Sequence, residues 1–329
     1  MSVPETKRGE RLAAALDHFG LANAEATLLR HNENEIYDVR ANARRFALRI
    51  HIPAEGFAPL PLCGAGETAK RRAEAELLAF LSEGGFHVQR PVPGRDGRLV
   101  QALPGGIPAT LLNWIEGESF DAIFHKADIP DGAAFAAGRV AGRLDAFTKT
   151  AVRRFAARRL RYGERTLPVL GARLRAAREA GVLNEEQFAD LLSALCAMAP
   201  RMRAAERETG LAVCHADISG GNLIWDGADA SLIDFSLSGV ASPYCDLAGM
   251  FASFTRENVR KALRAGFEDG YGKRTDLRLA EPYFALGILL FICLRFEAAK
   301  DWDWFPSALE RWRRETFLPL VREESFLAL

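Results

Sequence analysis

The 329-residue sequence carries no excess charge of either sign. Lys plus Arg and Asp plus Glu both total 43, so the formal net charge is zero. No overall field favours nucleic acid or an anionic membrane, and neither partner is expected. Cysteine is sparse: Cys63, Cys196, Cys214, Cys245 and Cys293 are odd in number, scattered, and form no C-x-x-C pair. That argues against a disulfide framework or a zinc site and for reduced thiols in a cytoplasmic protein. Long hydrophobic runs are missing too. The longest, Tyr283 to Leu294, lies between Pro282 and Arg295. It is shorter than the ~20 residues of a membrane span and is expected to form a buried helix. The opening MSVPETKRGERL places charges where a signal peptide needs apolar residues. There is no internal repeat and no low-complexity segment. Gly64 to Thr68 lacks the G-x-x-x-x-G-K-[ST] pattern of a phosphate loop and is expected to be a flexible loop.

What remains is a chain long enough for roughly two domains of ~150 residues. The N-terminal third has strand character. Ile36 to Ile50 reads as a hairpin around Ala41-Asn42-Ala43. A helix is expected over Lys70 to Ser82, with Ala73, Leu77, Leu78 and Leu81 on one face and Gly84-Gly85 at its end. Pro91 and Pro93 open an extended segment. Arg98 to Leu103 and Pro108 to Ile115 then read as strands separated by Pro104-Gly105-Gly106. Beyond Glu118 helical periodicity dominates, over Ala133 to Thr148, Glu185 to Arg207 (with Pro200 expected to break or kink it) and Arg256 to Tyr271. Between Leu211 and Ile233 three short strand-like runs intervene, the last two around an Asp226-Gly227 hairpin signal. The expectation is an α+β chain of two domains, a β-rich 1–115 and a mainly helical 116–329, joined near Trp114 to Glu118.

The informative stretch is Cys214 to Asp246. His215-Ala216-Asp217 is followed by Asn222, five residues after Asp217, and Asp234 closes the next strand-like run before Phe235. Phosphoryl transfer is a reaction of positioning and electrostatics, with Mg²⁺ bridging the phosphates. Mg²⁺ takes hard oxygen ligands, usually one or two from protein. Asp234 and the Asn222 amide oxygen meet that need, and Asp217 would orient an acceptor hydroxyl and take its proton. An acidic β-hairpin without function does not explain why Asn222 and Asp234 flank the same pair of strands. His215 reads as a structural residue fixing the loop rather than as an acid or base. Cys214 and His215, adjacent on a strand, point to opposite faces and make no nucleophile–base pair.

These residues resemble the catalytic and metal-binding motifs of the aminoglycoside phosphotransferase, choline kinase and type II homoserine kinase superfamily, which shares the protein-kinase-like fold. The spacing also fits the kinase H-R-D-x-x-x-x-N template. The resemblance extends over most of the chain. His31 to Tyr37 looks like the nucleotide-covering turn, which implies a phosphate contact from Asn34. Arg49 stands where a phosphate-pairing cation is expected, and Glu74 resembles its helix partner, with Glu76 as the alternative. Trp114 to Gly117 looks like the hinge, implying adenine contacts from the Trp114 and Ile115 backbone. Asp246 looks like the buttress of the catalytic loop. The implied activity is ATP- and Mg²⁺-dependent transfer of the γ-phosphoryl group to a hydroxyl of a small molecule.

The sequence departs from the wider kinase pattern in several places. It has no G-x-G-x-x-G loop. Ser219 replaces the catalytic-loop Lys of protein kinases, Ser236 follows Phe235, and Asp145 stands where many relatives carry His. Arg49 in place of Lys keeps the charge but brings a planar fork. Two other readings fit the same motifs: a bacterial protein Ser/Thr kinase of the stress-response type, and a non-catalytic nucleotide-binding scaffold. Two further features lie outside the motif. Six arginines between Arg153 and Arg165 read as a solvated helix face or an acidic-partner site. Asp301-Trp302-Asp303-Trp304 reads as a helix start with core tryptophans or a cation-binding cluster.

Overall fold

A computed structural model describes residues 5–31, 34–53, 62–124 and 128–327. The chain divides into two compact units, Met1–Phe57 with Ala65–Glu116, and Ala58–Gly64 with Gly117–Leu329.

The first unit runs α1 (Glu5–His18), β1 (Glu25–His31), β2 (Glu35–Ala41), β3 (Arg44–Ile50), α2 (Glu67–Glu83), β4 (Pro91–Val92), β5 (Val100–Leu103) and β6 (Ile107–Asn113). The strands form an antiparallel sheet of order β1-β2-β3-β6-β4, with β5 also on β6. Asn42 and Ala43 both take positive φ (51° and 58°), the pattern of a two-residue hairpin turn whose twist matches its strands. Alternation along β3 sends Phe46, Leu48 and Ile50 into a core completed by Ala15 and Leu16 of α1 and by Phe19 just after it. Arg49, one residue out of phase, takes the opposite face and meets α2. The sequence reading did not anticipate α1. Gly66 caps α2, so Glu67 and Thr68 belong to that helix rather than to a loop.

The second unit continues with β7 (Glu118–Ser119), α3 (Phe120–Phe124), α4 (Asp131–Thr148), α5 (Val152–Phe155), β8 (Leu160–Arg161), α6 (Leu167–Glu179), α7 (Glu185–Thr209), β9 (Ala212–Cys214), β10 (Leu223–Trp225), β11 (Ala230–Leu232), β12 (Gly239–Ala241), α8 (Tyr244–Ser253), α9 (Glu257–Tyr271), α10 (Leu277–Ala299) and α11 (Phe305–Trp312). Two small sheets, β11-β10-β7 and β8-β12-β9, sit among these helices. The β10–β11 turn is a four-residue loop in which Asp226 Oδ1 accepts from the Ala228 and Asp229 amides.

Several expectations change here. Pro200 does not end α7, which is one assigned helix of 25 residues. Pro282 and Arg295 do not bound the apolar helix either. α10 extends past both to 23 residues, long and apolar enough by composition to cross a membrane, yet most of its apolar window is buried inside the unit. The arginine run is not one helix face. It spans α5, a turn, β8 and a 3₁₀ turn, and Arg159 within it is only 2% exposed. The tryptophans before α11 stack on each other at 5.3 Å, but Trp304 is half-exposed and Phe305 is the residue that enters the core.

Candidate active site

The loop from His215 to Asn222 hangs between β9 and β10. Asp217 and Asn222 meet directly: Asn222 Nδ2 donates to the Asp217 main-chain oxygen at 2.9 Å and to its Oδ2 at 3.0 Å. Commitment of Nδ2 leaves the amide oxygen as the atom Asn222 offers a cation. Leu223 pairs with Leu232 in the hairpin, and the Ile233 amide donates to the Asn222 carbonyl at 3.0 Å. Asp234, the next residue, therefore emerges beside Asn222. Its φ of 63° and ψ of 70° are left-handed, a conformation costing a residue with a Cβ about 1–2 kcal/mol. Asn222 and Asp234 together offer the hard oxygen donors that suit Mg²⁺.

His215 is fully buried, and its Nε2 lies 2.9 Å from the Ile233 carbonyl. The carbonyl only accepts, so Nε2 carries the proton. Nδ1 then accepts from the Asp217 amide at 3.3 Å. The imidazole thus ties the loop to the hairpin. Behind it, the two Asp246 oxygens accept from the His215 amide at 2.8 Å and the Ala216 amide at 2.6 Å. Ala216 is left-handed as well. On α3, the Asp121 carboxylate lies so near the loop that a Cβ on Gly220 would stand 2.0 Å from its Oδ1, so a side chain there would collide. A surface pocket bounded by Glu208, Tyr244, Phe267 and Arg274 lies elsewhere in this unit and includes none of the loop residues.

Asp145 of α4 is fully buried, and neither of its oxygens accepts a hydrogen bond. Its carboxyl lies within 4.8 Å of Asp246 and the Cys214 thiol. Burial first, and then the Asp246 charge, raise its pKa well above the ordinary range. Two adjacent buried carboxyls do not both ionise. Asp246, which accepts two amides, is the better-solvated anion, so Asp145 holds the proton and can donate it to Asp246. Burial also raises the Cys214 and Cys245 thiols, which excludes them as nucleophiles at neutral pH.

A pH dependence follows from that pair. Folded Asp145 binds its proton more tightly than unfolded Asp145. Its stabilisation is complete below the unfolded pKa and is lost as pH rises through the folded one. The Asp145→Asn variant keeps a neutral donor and lacks this slope. Thermal unfolding from pH 5 to 9 is expected to show the wild type's advantage shrinking with pH and ending at or below zero. A constant difference would exclude the shared proton.

In the β-rich unit, Arg49 donates to Glu74 Oε1 at 2.7 Å, both groups being nearly inaccessible. Glu74, the expected partner, lies opposite Arg49. Arg71, one turn earlier on α2, approaches Glu74 Oε2 at 3.4 Å. Asn34 is buried, and its side-chain oxygen accepts from His51 Nδ1 at 2.7 Å, while His51 Nε2 lies 3.1 Å from the Thr110 hydroxyl. Burial, then the charges of Arg71 and Arg49, hold the His51 pKa well below its usual value, so the ring is neutral. Asn32 and Glu33 of the expected nucleotide-covering turn lie outside the described residues. Ile115 is buried, and the Arg45 guanidinium covers the Trp114 ring at 3.6 Å. Arg45 is held in turn by Asp38. Sequence reasoning missed His51, Arg71, Asp121 and Arg159. Only the density of arginine around Arg159 gave any signal.

Residues 25–283 match the model of the phosphotransferase enzyme family, and the chain belongs to that family. It is 22% identical over 230 residues to amicoumacin kinase of Bacillus subtilis (strain 168), an alignment covering 68% of this chain. The chain thus spans 61% of the length of that curated relative. Among solved structures, an amicoumacin kinase in complex with AMP-PNP, Ca²⁺ and Ami superposes with a TM-score of 0.69 at 17% identity, covering 98% of this chain and 94% of that one. A microcompartment-associated aminopropanol kinase gives 0.67 at 18% identity, covering 96% and 100%. At these identities the likeness is one of fold, and that α+β fold is protein-kinase-like.

Proposed function

We propose that the chain is a kinase that moves the γ-phosphoryl group of ATP to a hydroxyl of a small molecule. The observation carrying this reading is the Asp217–Asn222 contact, braced through Ile233 to Asp234. It supports one carboxylate for the acceptor and two oxygen ligands for Mg²⁺. Asp217 would orient the acceptor hydroxyl and take its proton as the oxygen bonds to phosphorus and the bond to the ADP oxygen breaks. Asn222 and Asp234 would hold Mg²⁺, which supplies charge neutralisation on the phosphates when bound. Arg49, held by Glu74, would contact the phosphates. Asn34 would border them, and the Trp114 and Ile115 backbone would meet the adenine. His215 and Asp246 would keep the loop in shape.

The segment after Asp234 favours a small acceptor over a protein. A protein kinase carries its activation loop between the metal-binding Asp and the following helix. Here a 3₁₀ turn (Phe235–Leu237) and β12 fill that interval before α8 begins at Tyr244. The relatives' names suggest amines and amine-bearing antibiotics for the test. ADP release from Mg·ATP is to be measured with choline, ethanolamine, aminopropanol, homoserine, amicoumacin, aminoglycosides and a generic protein. Turnover stimulated by one small acceptor is the expected result. Absence of Mg·ATP binding by calorimetry would overturn the reading.

A further inference from the structure

The arginine run contains one member that serves the site from behind. The buried Arg159 guanidinium donates to the carbonyls of Phe235 at 2.7 Å, Ser236 at 2.9 Å and Ser238 at 2.9 Å, and to Ser238 Oγ at 2.7 Å. Tyr162 donates its hydroxyl to the remaining carbonyl, that of Leu237, at 2.7 Å. All four consecutive carbonyls after Asp234 are therefore bound from residues 159–162. That segment is itself anchored, because β8 runs parallel to β12 and the Tyr162 amide donates to Val240 at 3.0 Å.

We infer that Arg159 is a positioning residue for Asp234. The inference rests on the reading of Asp234 as a ligand of the divalent cation. Asp234 is left-handed, a conformation that persists only where both flanks are over-determined. Upstream, Ile233 is held through its amide by Asn222 and through its carbonyl by His215. Downstream, Arg159 holds the next peptide groups. With both flanks fixed, only the dihedrals of Asp234 and Phe235 join them, and the Ser236 amide, 3.4 Å from Asp234 Oδ1, points the carboxylate from the downstream side. A planar guanidinium can gather several carbonyls at once, whereas a lysine ammonium is a single point donor.

The test is calorimetric binding of ADP as a function of Mg²⁺ concentration, with melting temperature measured in parallel. Arg159→Lys is expected to bind ADP alone as the wild type does, but to need about tenfold more Mg²⁺ for the metal-enhanced binding, as when an outer-shell partner of a metal ligand is lost. The Tyr162→Phe and Ser238→Ala double variant, a milder loosening of the same peptides, is expected to shift the same way by less. A lower melting temperature with an unchanged Mg²⁺ requirement would make Arg159 merely structural and overturn the inference. Should Arg159→Lys fail to fold, an unchanged Mg²⁺ requirement in the double variant overturns it equally. Asp234→Asn is the reference. If it alone loses the Mg²⁺ effect, only the role of Arg159 falls. If it too keeps the effect, the metal reading falls, and the inference with it.

Discussion

Asp217→Asn is expected to lower turnover by about 10²–10⁴-fold while leaving Mg·ATP affinity within about twofold of wild type. The replacement is nearly isosteric, and an Asn side-chain oxygen can still accept from Asn222 Nδ2, now 3.0 Å from the carboxylate. The main-chain bond from Asn222 to the Asp217 carbonyl is untouched. The loop should keep its shape, and what disappears is the capacity to take a proton. At 1.36 kcal/mol per tenfold, the loss amounts to roughly 3–5 kcal/mol of transition-state stabilisation. Asp234→Asn should behave differently, because on the reading of Asp234 as a ligand of Mg²⁺ it removes that ligand's negative charge and so weakens nucleotide binding in the presence of Mg²⁺ as well. Steady-state kinetics with the best acceptor, combined with calorimetry, separates the two. If Asp217→Asn turns over at near the wild-type rate, the assignment of Asp217 as base is wrong.

Gly142→Val and Gly266→Val are expected to destabilise the helical unit by about 3 kcal/mol or more each. α4 and α9 cross with backbone against backbone. A Cβ on Gly138 would lie 2.0 Å from the Leu263 carbonyl, and one on Gly142 2.2 Å from that of Phe267. In return, Gly266 and Gly270 face the Phe135 and Arg139 carbonyls at 2.0 and 2.2 Å. No rotamer relieves such contacts, because the obstacle is main chain on the partner helix, so the helices must separate along their length. Separation would also shift Asp145, three residues beyond Gly142, away from Asp246. Gly132→Ala in the same helix is the control. Its Cβ would meet nothing within 4 Å, and the change should be neutral or stabilising by roughly 0.5 kcal/mol. Thermal or urea unfolding reads all three, and a Gly142→Val protein as stable as Gly132→Ala would refute the crossing.

The two helices also mark how far the sequence could be read. Glycines four apart appear in both, yet nothing in either pattern says that the two will pair. The Asp217, Asn222 and Asp234 constellation was legible because it is local: one short loop and one hairpin bring the three together, and turn residues and strand periodicity encode both. The β2–β3 hairpin and α2 were legible for the same reason. Helix α1 was not, because its charged opening hides an apolar stripe that matters only once the sheet lies against it.

The sequence by itself determined the order of elements around the motif, the residue types that can hold a cation beside a base, and the family resemblance those residues carry. The tertiary structure alone decided that Arg159 would bind carbonyls more than seventy positions away. It alone placed the buried Asp145 carboxyl beside Asp246. Local conformation follows from short-range sterics and hydrogen bonding, which the sequence spells out. Which buried polar group meets which depends on how whole surfaces pack and which arrangement leaves the fewest charges unsatisfied, and that is settled only when the chain is folded.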